Sequence, residues 1–119
     1  MRKLVTIGLV CVSGMLLIGC GQQSPRDVAR SFTENMAKGN VQEAKKYASE
    51  QTGQILDMVA SFGAMEINPD FRFIFEDQTI DGNRAVVRFR EARESDIESI
   101  NLIRIDGKWK VHEEKDANW

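Results

Sequence analysis

Cys20 is the side chain whose type and position point most directly to chemistry. It follows an apolar stretch from Leu4 to Ile18, and Arg2 and Lys3 give that stretch a positively charged start. A thiolate is a strong nucleophile, and the apolar stretch would bring this thiol to the surface of a bilayer. Gly19 leaves room for cleavage of the chain just before the cysteine. The sequence therefore predicts a thiol that is alkylated at a membrane surface, behind a removable leader.

The four residues at the end of this leader resemble the lipobox of bacterial lipoproteins. They are Leu17, Ile18, Gly19 and Cys20. The resemblance implies a diacylglyceryl thioether on Cys20, cleavage by signal peptidase II and acylation of the new terminus. Two or more acyl chains anchor a protein stably, whereas one binds only marginally. We therefore expect a signal peptide at residues 1–19, a lipidated tether at residues 20–23, and a membrane bound through the lipid on Cys20.

Two other fates of the leader stay open. Gly19, Cys20 and Gly21 also satisfy the small-x-small rule of ordinary secretion. A permanent membrane span is disfavoured, because it needs about 20 apolar residues and this shorter run is interrupted by Gly8 and Gly14. Gly21, not Asp, follows the lipid-bearing position, and this favours export to the outer membrane. The expected location is the cell envelope, on the periplasmic face of the outer membrane if the source has two membranes.

The 119-residue chain is 42% hydrophobic, but its character changes once the leader is set aside. Residues 20–119 carry 14 basic and 18 acidic side chains, a net charge of −4. This balance argues against nucleic-acid binding. A hundred residues can bury about two thirds of their unfolded surface, which is enough for one domain, expected at residues 24–113 with a tail at 114–119. Cys11 leaves with the leader and Cys20 is alkylated, so no disulfide is expected.

Two helices are predicted at the start of this domain. Ser24 followed by Pro25 is typical of a helix start, and apolar residues at helical spacing continue to Lys38, before a stop at Gly39. Asn40 with an acid three residues later repeats the capping-box pattern. A second, shorter helix is therefore expected after Asn40.

A third helix and four strands complete the prediction. Thr52 or Gly53 is expected to break the second pattern, and the third helix then runs from Ile55 to Phe62. Alternating apolar and polar residues predict strands at 71–80, 85–90, 97–105 and 108–113. Asp106 and Gly107 are typical of a two-residue hairpin loop. The fold class expected is α+β, with about three N-terminal helices packed on an antiparallel sheet of about four strands.

Four segments look like parts of a known family: SPRDV at 24–28, KGN at 38–40, EAKKY at 43–47 and DGKWKV at 106–111. They resemble an uncharacterised family of short bacterial lipoproteins within the nuclear-transport-factor-two-like superfamily, also called cystatin-like or ketosteroid-isomerase-like. The resemblance covers most of residues 24–113. It implies a cone-shaped fold in which a curved sheet wraps a long helix and leaves a cavity. It implies no reaction, because the superfamily includes enzymes and binding modules alike.

Few residues of the domain are suited to catalysis or metal binding. An isomerase-like site needs a carboxylate base and a neutral donor inside the cone, but the sole tyrosine, Tyr47, lies on the second helix. Asp57 lies beside the apolar face of its helix, and Phe32 occupies a place where a donor could point inward. His112 is the sole histidine. A zinc site needs several His, Cys or carboxylate ligands, so zinc binding is not expected. We expect no enzyme, cofactor or metal, and a non-catalytic binding or protein-interaction module; the alternative is a small-molecule-binding or enzymatic cavity.

The outer side of the sheet is a second candidate site. Its expected members are Ile74, Val86, Arg88, Arg90, Ile103, Ile105 and Lys110. Cross-strand pairs with Glu76 and its neighbours explain the cations as a solvated face. The apolar members are not explained by the core, and exposed apolar patches often mark partners. A homodimer or an envelope protein partner would bury them; a curved sheet, a bulge or the C-terminal tail with Trp119 would also cover them.

Overall fold

A computed structural model describes residues 23–63 and 66–113 of the chain. In order, the elements are α1 (Pro25–Ala37), α2 (Val41–Lys45), α3 (Glu50–Ser61), β1 (Ile74–Asp81), β2 (Arg84–Arg90), β3 (Glu98–Ile105) and β4 (Lys108–Val111). Three helices before a four-stranded antiparallel sheet confirm the α+β prediction. The expected signal peptide, its lipobox, Cys20 and the C-terminal tail with Trp119 lie outside the described residues. Among the helices described, none combines the length and apolarity that crossing a bilayer requires.

The start and stop of α1 follow from its cap residues. Ser24 is the N-cap, and its side chain accepts a hydrogen bond from the backbone N–H of Asp27 at 3.1 Å. Gly39, just past the helix, has φ +81°, a left-handed conformation that glycine adopts without a steric penalty. Ala29 and Phe32 lie on the buried face of α1. This face packs the helix against the sheet.

The structure corrects the predicted boundaries of the next two helices. Thr52 and Gly53 lie inside α3 and do not break it, because Ser49 caps the helix and accepts from the backbone N–H of Thr52 at 3.3 Å. Gly53 is buried, and a Cβ at this position would lie 3.5 Å from the side chain of Lys45. Since that distance is an ordinary van der Waals contact, α3 packs on α2 here without requiring a glycine. The predicted capping box is wrong, since the side chain of Asn40 makes no capping hydrogen bond.

The sheet has the strand order β1-β2-β3-β4. The predicted hairpin between β3 and β4 is confirmed: Leu102 pairs with Val111 across the two-residue loop of Asp106 and Gly107. Both loop residues have positive φ, +52° and +80°. Such a loop matches the right-handed twist of the flanking strands. A meander of this kind needs no long connection, so the sheet forms from neighbouring segments.

The outer edge of β4 is covered by the segment between α2 and α3. Ala48 forms a parallel bridge with Val111. The backbone N–H of Ser49 donates to the carbonyl oxygen of Val111, and the N–H of Val111 donates to the carbonyl oxygen of Tyr47, both at 2.8 Å. These bonds satisfy backbone groups that an open edge would leave unpaired. They also fix the N-terminus of α3 beside the end of β4.

The hydrophobic core lies between the helices and one side of the sheet. Its members on the strands are Ala85, Val87, Phe89, Ile100, Leu102, Trp109 and Val111. β1 departs from the predicted alternation at a β-bulge between Phe75 and Asp77. Phe75 pairs with Phe89, and Gln78, three residues later on β1, pairs with Val87, only two residues away on β2. The extra residue on β1 reverses which of its side chains face the core.

Candidate functional site

A cleft of about 690 Å³ opens between the C-terminal half of α1 and the inner side of the sheet. Three parts of the chain form its walls. They are Thr33, Met36 and Ala37 of α1, the connecting residues Glu66, Ile67, Asn68 and Phe71, and the strand ends with Phe89, Glu91, Glu98, Ser99, Ile100 and Glu113. The cleft is thus bounded by elements that are far apart in sequence.

The base of the cleft is formed by apolar side chains that the core holds in place. Phe89 and Ile100 are buried, with 4% and 6% of their surfaces exposed. The ring of Phe89 stacks on the ring of Phe73, with centroids 5.1 Å apart. Phe71 packs half-buried against the same core. Buried aromatic rings held by their neighbours give a wall of defined shape, against which an apolar group could pack.

The carboxyl groups of Glu91 and Glu98 meet where β2 ends and β3 begins. Phe89 pairs with Glu98 in the last register pair of these strands, and Glu91 lies just beyond. Ser95 closes the connection, because its Oγ accepts a hydrogen bond from the backbone N–H of Glu91 at 3.1 Å. Although Glu98 is exposed overall, partial burial of its carboxyl group, a hydrogen bond with Glu91 and the negative charges of Glu91 and Asp96 raise its pKa to about 7. The Glu98 carboxyl group therefore titrates near neutral pH.

A third carboxyl group enters the cleft from the end of β4. The backbone N–H of Glu113 donates to Thr52 Oγ1 at 2.9 Å, so α3 holds this part of the chain in place. Burial raises the pKa of the Glu113 carboxyl, and a hydrogen bond from the backbone of Asn101 acts in the opposite direction. The half-buried carboxylate is therefore held in a place where its charge is incompletely solvated.

The segment of residues 66–71 crosses the cleft between α1 and β2. The backbone N–H of Asn68 donates to the carbonyl oxygen of Ala37 at 2.8 Å. A Cβ on Gly39 would lie 3.1 Å from Ile67 Cγ1, so the glycine allows this segment to approach α1 closely. A second cavity of about 400 Å³ shares Ala37, Ile67, Asn68 and Phe71 with the cleft. The crossing segment thus lines both cavities.

The charges of the cleft have one sign. Among the described lining residues, the ionisable side chains are Glu66, Glu91, Glu98 and Glu113. The hydroxyl of Thr33 donates to the carbonyl oxygen of Ala29 at 2.8 Å, so that group is already engaged. Within residues 23–63 and 66–113, no three His, Cys, Asp or Glu side chains converge as metal ligands would. The arrangement suits a molecule with an apolar body and hydrogen-bond donors or positive charge.

The sequence did not identify these acids as site residues. The alternation that it predicted for the strands placed almost no polar side chains on the side of the sheet that faces the helices. Glu91 and Glu98 lie at the ends of β2 and β3, and Glu113 follows β4. Strand periodicity describes the middle of a strand, whereas these residues reach the cleft from the sheet's rim. The sequence showed that these acids lie beside turn residues. It did not show which of its many acids would line the same cleft.

The polar residues that the sequence singled out are absent from the lining of the cleft. Asp57 Oδ2 forms an ion pair with Lys45 Nζ at 2.8 Å. His112 Nδ1 lies 2.8 Å from Ser49 Oγ. Tyr47 contributes its backbone carbonyl to the edge of β4. These contacts give the three residues structural roles in holding the helices to one another and to the sheet.

The expected interaction face lies opposite the core. By strand register, Ile74 lies beside Arg90, Val86 beside Asn101, Ile103 beside Lys110 and Ile105 beside Lys108. Ile74, Val86 and Ile103 are half-buried, whereas Ile105 is 39% exposed. A groove of about 220 Å³ on this side is lined by residues that include Val86, Ile103 and His112. The apolar members therefore form a shallow surface among polar neighbours.

The cations of this face are engaged by neighbouring groups. Arg88 Nε lies 2.5 Å from Asp77 Oδ1, and Arg90 Nε lies 2.9 Å from Glu76 Oε2. Lys110 Nζ donates to the backbone carbonyl of Lys46 at 2.8 Å. The expected pairing with Glu76 and its neighbours is confirmed. These contacts neutralise much of the basic character that the sequence indicated for this side.

Comparison with known proteins gives one family match. Residues 18–68 match a family model described as a domain of unknown function, DUF4878. The match extends from the end of the apolar leader through α1, α2 and α3 and ends in the crossing segment, so it covers less than half of the chain. No curated protein and no solved structure shows significant similarity. Over its helical part, the chain is similar to this uncharacterised family.

Proposed function

We propose that this chain is a lipid-anchored protein of the bacterial cell envelope, and that its domain is a non-catalytic module that binds a small organic ligand. The observation that carries the ligand is the cleft between α1 and the sheet. Its volume of about 690 Å³ falls in the range of roughly 300–1,000 Å³ found for small-molecule sites. Its buried aromatic wall offers a surface for an apolar group, and the polar side chains around it, which include four glutamates, could fix the orientation of a ligand.

The position of the cleft suits a domain held at a membrane by Cys20. α1 begins at Pro25, a few residues after the expected lipid site. Its 13 residues span about 20 Å at 1.5 Å per residue. The cleft lies at the far end of this helix, near Ala37. A ligand in aqueous solution would therefore reach the cleft without passing the anchored end of the domain.

The proposal of binding without catalysis rests on the groups of the cleft. Its described lining contains carboxyl groups and the hydroxyls of Thr33 and Ser99, but no imidazole, thiol or lysine ammonium. The Thr33 hydroxyl is already bonded to the carbonyl oxygen of Ala29. A nucleophile with a neighbouring base is the usual arrangement for covalent catalysis. We further propose a relationship to the nuclear-transport-factor-two-like superfamily, supported by helices on one side of an antiparallel sheet and a cavity between the first helix and the strands.

Two experiments test the two halves of this function. Replacement of Cys20 by Ala should abolish labelling of the protein by a clickable fatty acid in cells; unchanged labelling would refute the anchor. For the cleft, a thermal-shift screen of small molecules should find compounds that stabilise the native protein but not Ala37→Phe, which fills the cleft. Ala92→Phe adds the same ring to an exposed turn and should respond as the native protein does.

A second candidate function is protein binding through the outer side of the sheet, as a homodimer or with another envelope protein. Ile105 is 39% exposed on this side. It lies two residues after Ile103 on β3 and opposite Lys108 on β4. Exposed apolar residues that neighbour one another on a sheet often mark a contact surface.

A further inference from the structure

The cleft combines three features that together restrict what it can hold. Its base is apolar, with the buried rings and side chains of Phe89 and Ile100. Carboxyl groups approach from separate parts of its wall, including Glu66 on the crossing segment and Glu113 after β4. No lysine, arginine or histidine contributes to its described lining. A ligand therefore meets an apolar surface and negative charge at once.

We propose that the ligand of this cleft is an organic cation with an apolar body, such as an arylalkyl ammonium compound. This inference rests on the proposed ligand-binding function and names its chemical class. A positive charge would lie near Glu98 and Glu91, while the apolar body packs against Phe89. Opposite charges in a partly dehydrated cleft attract more strongly than in water.

The spacing of the carboxyl groups favours an organic cation over a metal ion. A metal ion needs several ligand atoms within about 2–2.6 Å of one point. The acids of the cleft are distributed around a cavity of about 690 Å³, and the described residues form no cluster of three that could hold a metal. An ammonium group can instead interact with one carboxylate pair while the rest of the molecule occupies the apolar base.

The electrostatics of the cleft support the same inference. Glu98 and Glu91 are hydrogen-bonded to each other, and burial and like charge raise the pKa of Glu98. Burial also raises the pKa of Glu113. Like charges that lack a neighbouring cation destabilise one another. A bound cation would relieve this repulsion, whereas an anion would add to it.

The test measures binding of three small probes to the full-length protein in phosphatidylcholine vesicles, with protein-free vesicles subtracted. The probes are 4-fluorobenzyltrimethylammonium, 4-fluorobenzyl alcohol and 4-fluorophenylacetate, observed by fluorine NMR at pH 8. The quaternary ammonium keeps its charge at every pH. We expect the cation to bind about tenfold more tightly than the alcohol, a difference of about 1.4 kcal/mol, and the anion to bind most weakly.

Variants that remove a charge then show which carboxyl groups cause the tighter binding of the cation. The double variant Glu91→Gln/Glu98→Gln should weaken binding of the cation by about five- to tenfold, equivalent to about 1–1.4 kcal/mol, and leave the alcohol unchanged. Glu94→Gln, in the exposed connection between β2 and β3, is the matched control and should change neither. If the double variant binds the cation as tightly as the native protein, the inference is wrong.

Cleft-filling variants separate this inference from the proposed function. Ala37→Phe should block all probes that bind, and Ser99→Phe, at an exposed position of the lining, provides a second variant if the first fails to fold. If the alcohol or the anion binds as tightly as the cation and both variants block it, the cleft is a ligand site but the charge preference is wrong. If no probe binds, or neither folded variant reduces binding, the proposed ligand site itself is wrong.

Discussion

Ser49 Oγ lies 2.8 Å from Nδ1 of His112, a residue 63 positions further along the chain. The same hydroxyl caps α3 by accepting from the backbone N–H of Thr52, and the serine is 3% exposed. One buried side chain thus joins the start of a helix to the end of β4. Glu113, the next residue after His112, reaches the cleft from this junction.

Replacement of Ser49 by Ala should destabilise the protein by about 1–2 kcal/mol, the usual cost of a lost N-cap, with a further cost for the polar groups left unpaired. The midpoint of urea unfolding measures the change. Ser61→Ala is the matched control, because that hydroxyl is exposed and bonds to the carbonyl of its own helix, at Met58. Equal stability of Ser49→Ala and the native protein would contradict this role.

The contact with His112 can be measured separately from the cap. In a double-mutant cycle of Ser49→Ala and His112→Ala, directly bonded side chains should show a coupling energy of at least about 0.5 kcal/mol. Simple additivity of the two changes would mean that the 2.8 Å contact contributes nothing to stability.

Replacement of Glu98 by Gln should make the protein less sensitive to pH. The pKa of Glu98 is raised from 4.5 to about 7 in the folded chain, so the folded state binds this proton more tightly than the unfolded state. Stability therefore falls as pH rises from about 4.5 through 7. Glu98→Gln should unfold at a higher temperature than the native protein at pH 8, and the difference should shrink at pH 5.

The control for this pH effect is Glu94→Gln, which removes an exposed carboxyl group outside the cleft. Its melting temperature should follow that of the native protein at both pH values. A Glu98→Gln protein that tracks the native melting curve from pH 5 to pH 8 would show that Glu98 titrates alike in the folded and unfolded states.

Replacement of Leu102 by Ala should cost about 2–5 kcal/mol, the range observed for buried leucines. Leu102 is 1% exposed and is one of the largest fully buried side chains among the described residues. Ile105→Ala, on the same strand but 39% exposed, should change the free energy of unfolding by less than about 0.5 kcal/mol. Comparable losses from both variants would indicate that the outer side of β3 is packed as tightly as the inner side.

Replacement of Ile103 by Glu tests the outer side of the sheet as a self-association surface. If this face forms a homodimer, light scattering should give a dimer for the native domain and a monomer for the variant, because burying a carboxylate in the apolar contact is costly. Lys108→Gln, at an exposed polar position of the neighbouring strand, is the control and should remain dimeric. Monomers throughout would exclude the homodimer.

Local sequence was sufficient to predict the helices and the hairpin in outline. Ser24 and Gly39 define the ends of α1 through backbone hydrogen bonding and positive φ, which depend on neighbouring residues. Asp106 and Gly107 set the register of Leu102 opposite Val111 by loop length alone. The same reasoning failed at Gly53: a glycine was taken as a break, but it lies buried inside α3, whose N-cap is Ser49.

The apolar N-terminal stretch, the acidic balance and the α+β pattern were readable from the sequence alone, because composition and periodicity are properties of short segments. The cleft was decided only by tertiary structure. Its acidic residues, Glu66, Glu91, Glu98 and Glu113, are up to 47 positions apart in the sequence and line one cleft because the helices cover one side of the sheet and leave its rim open. Convergence of distant strand ends depends on packing geometry, which no local pattern encodes.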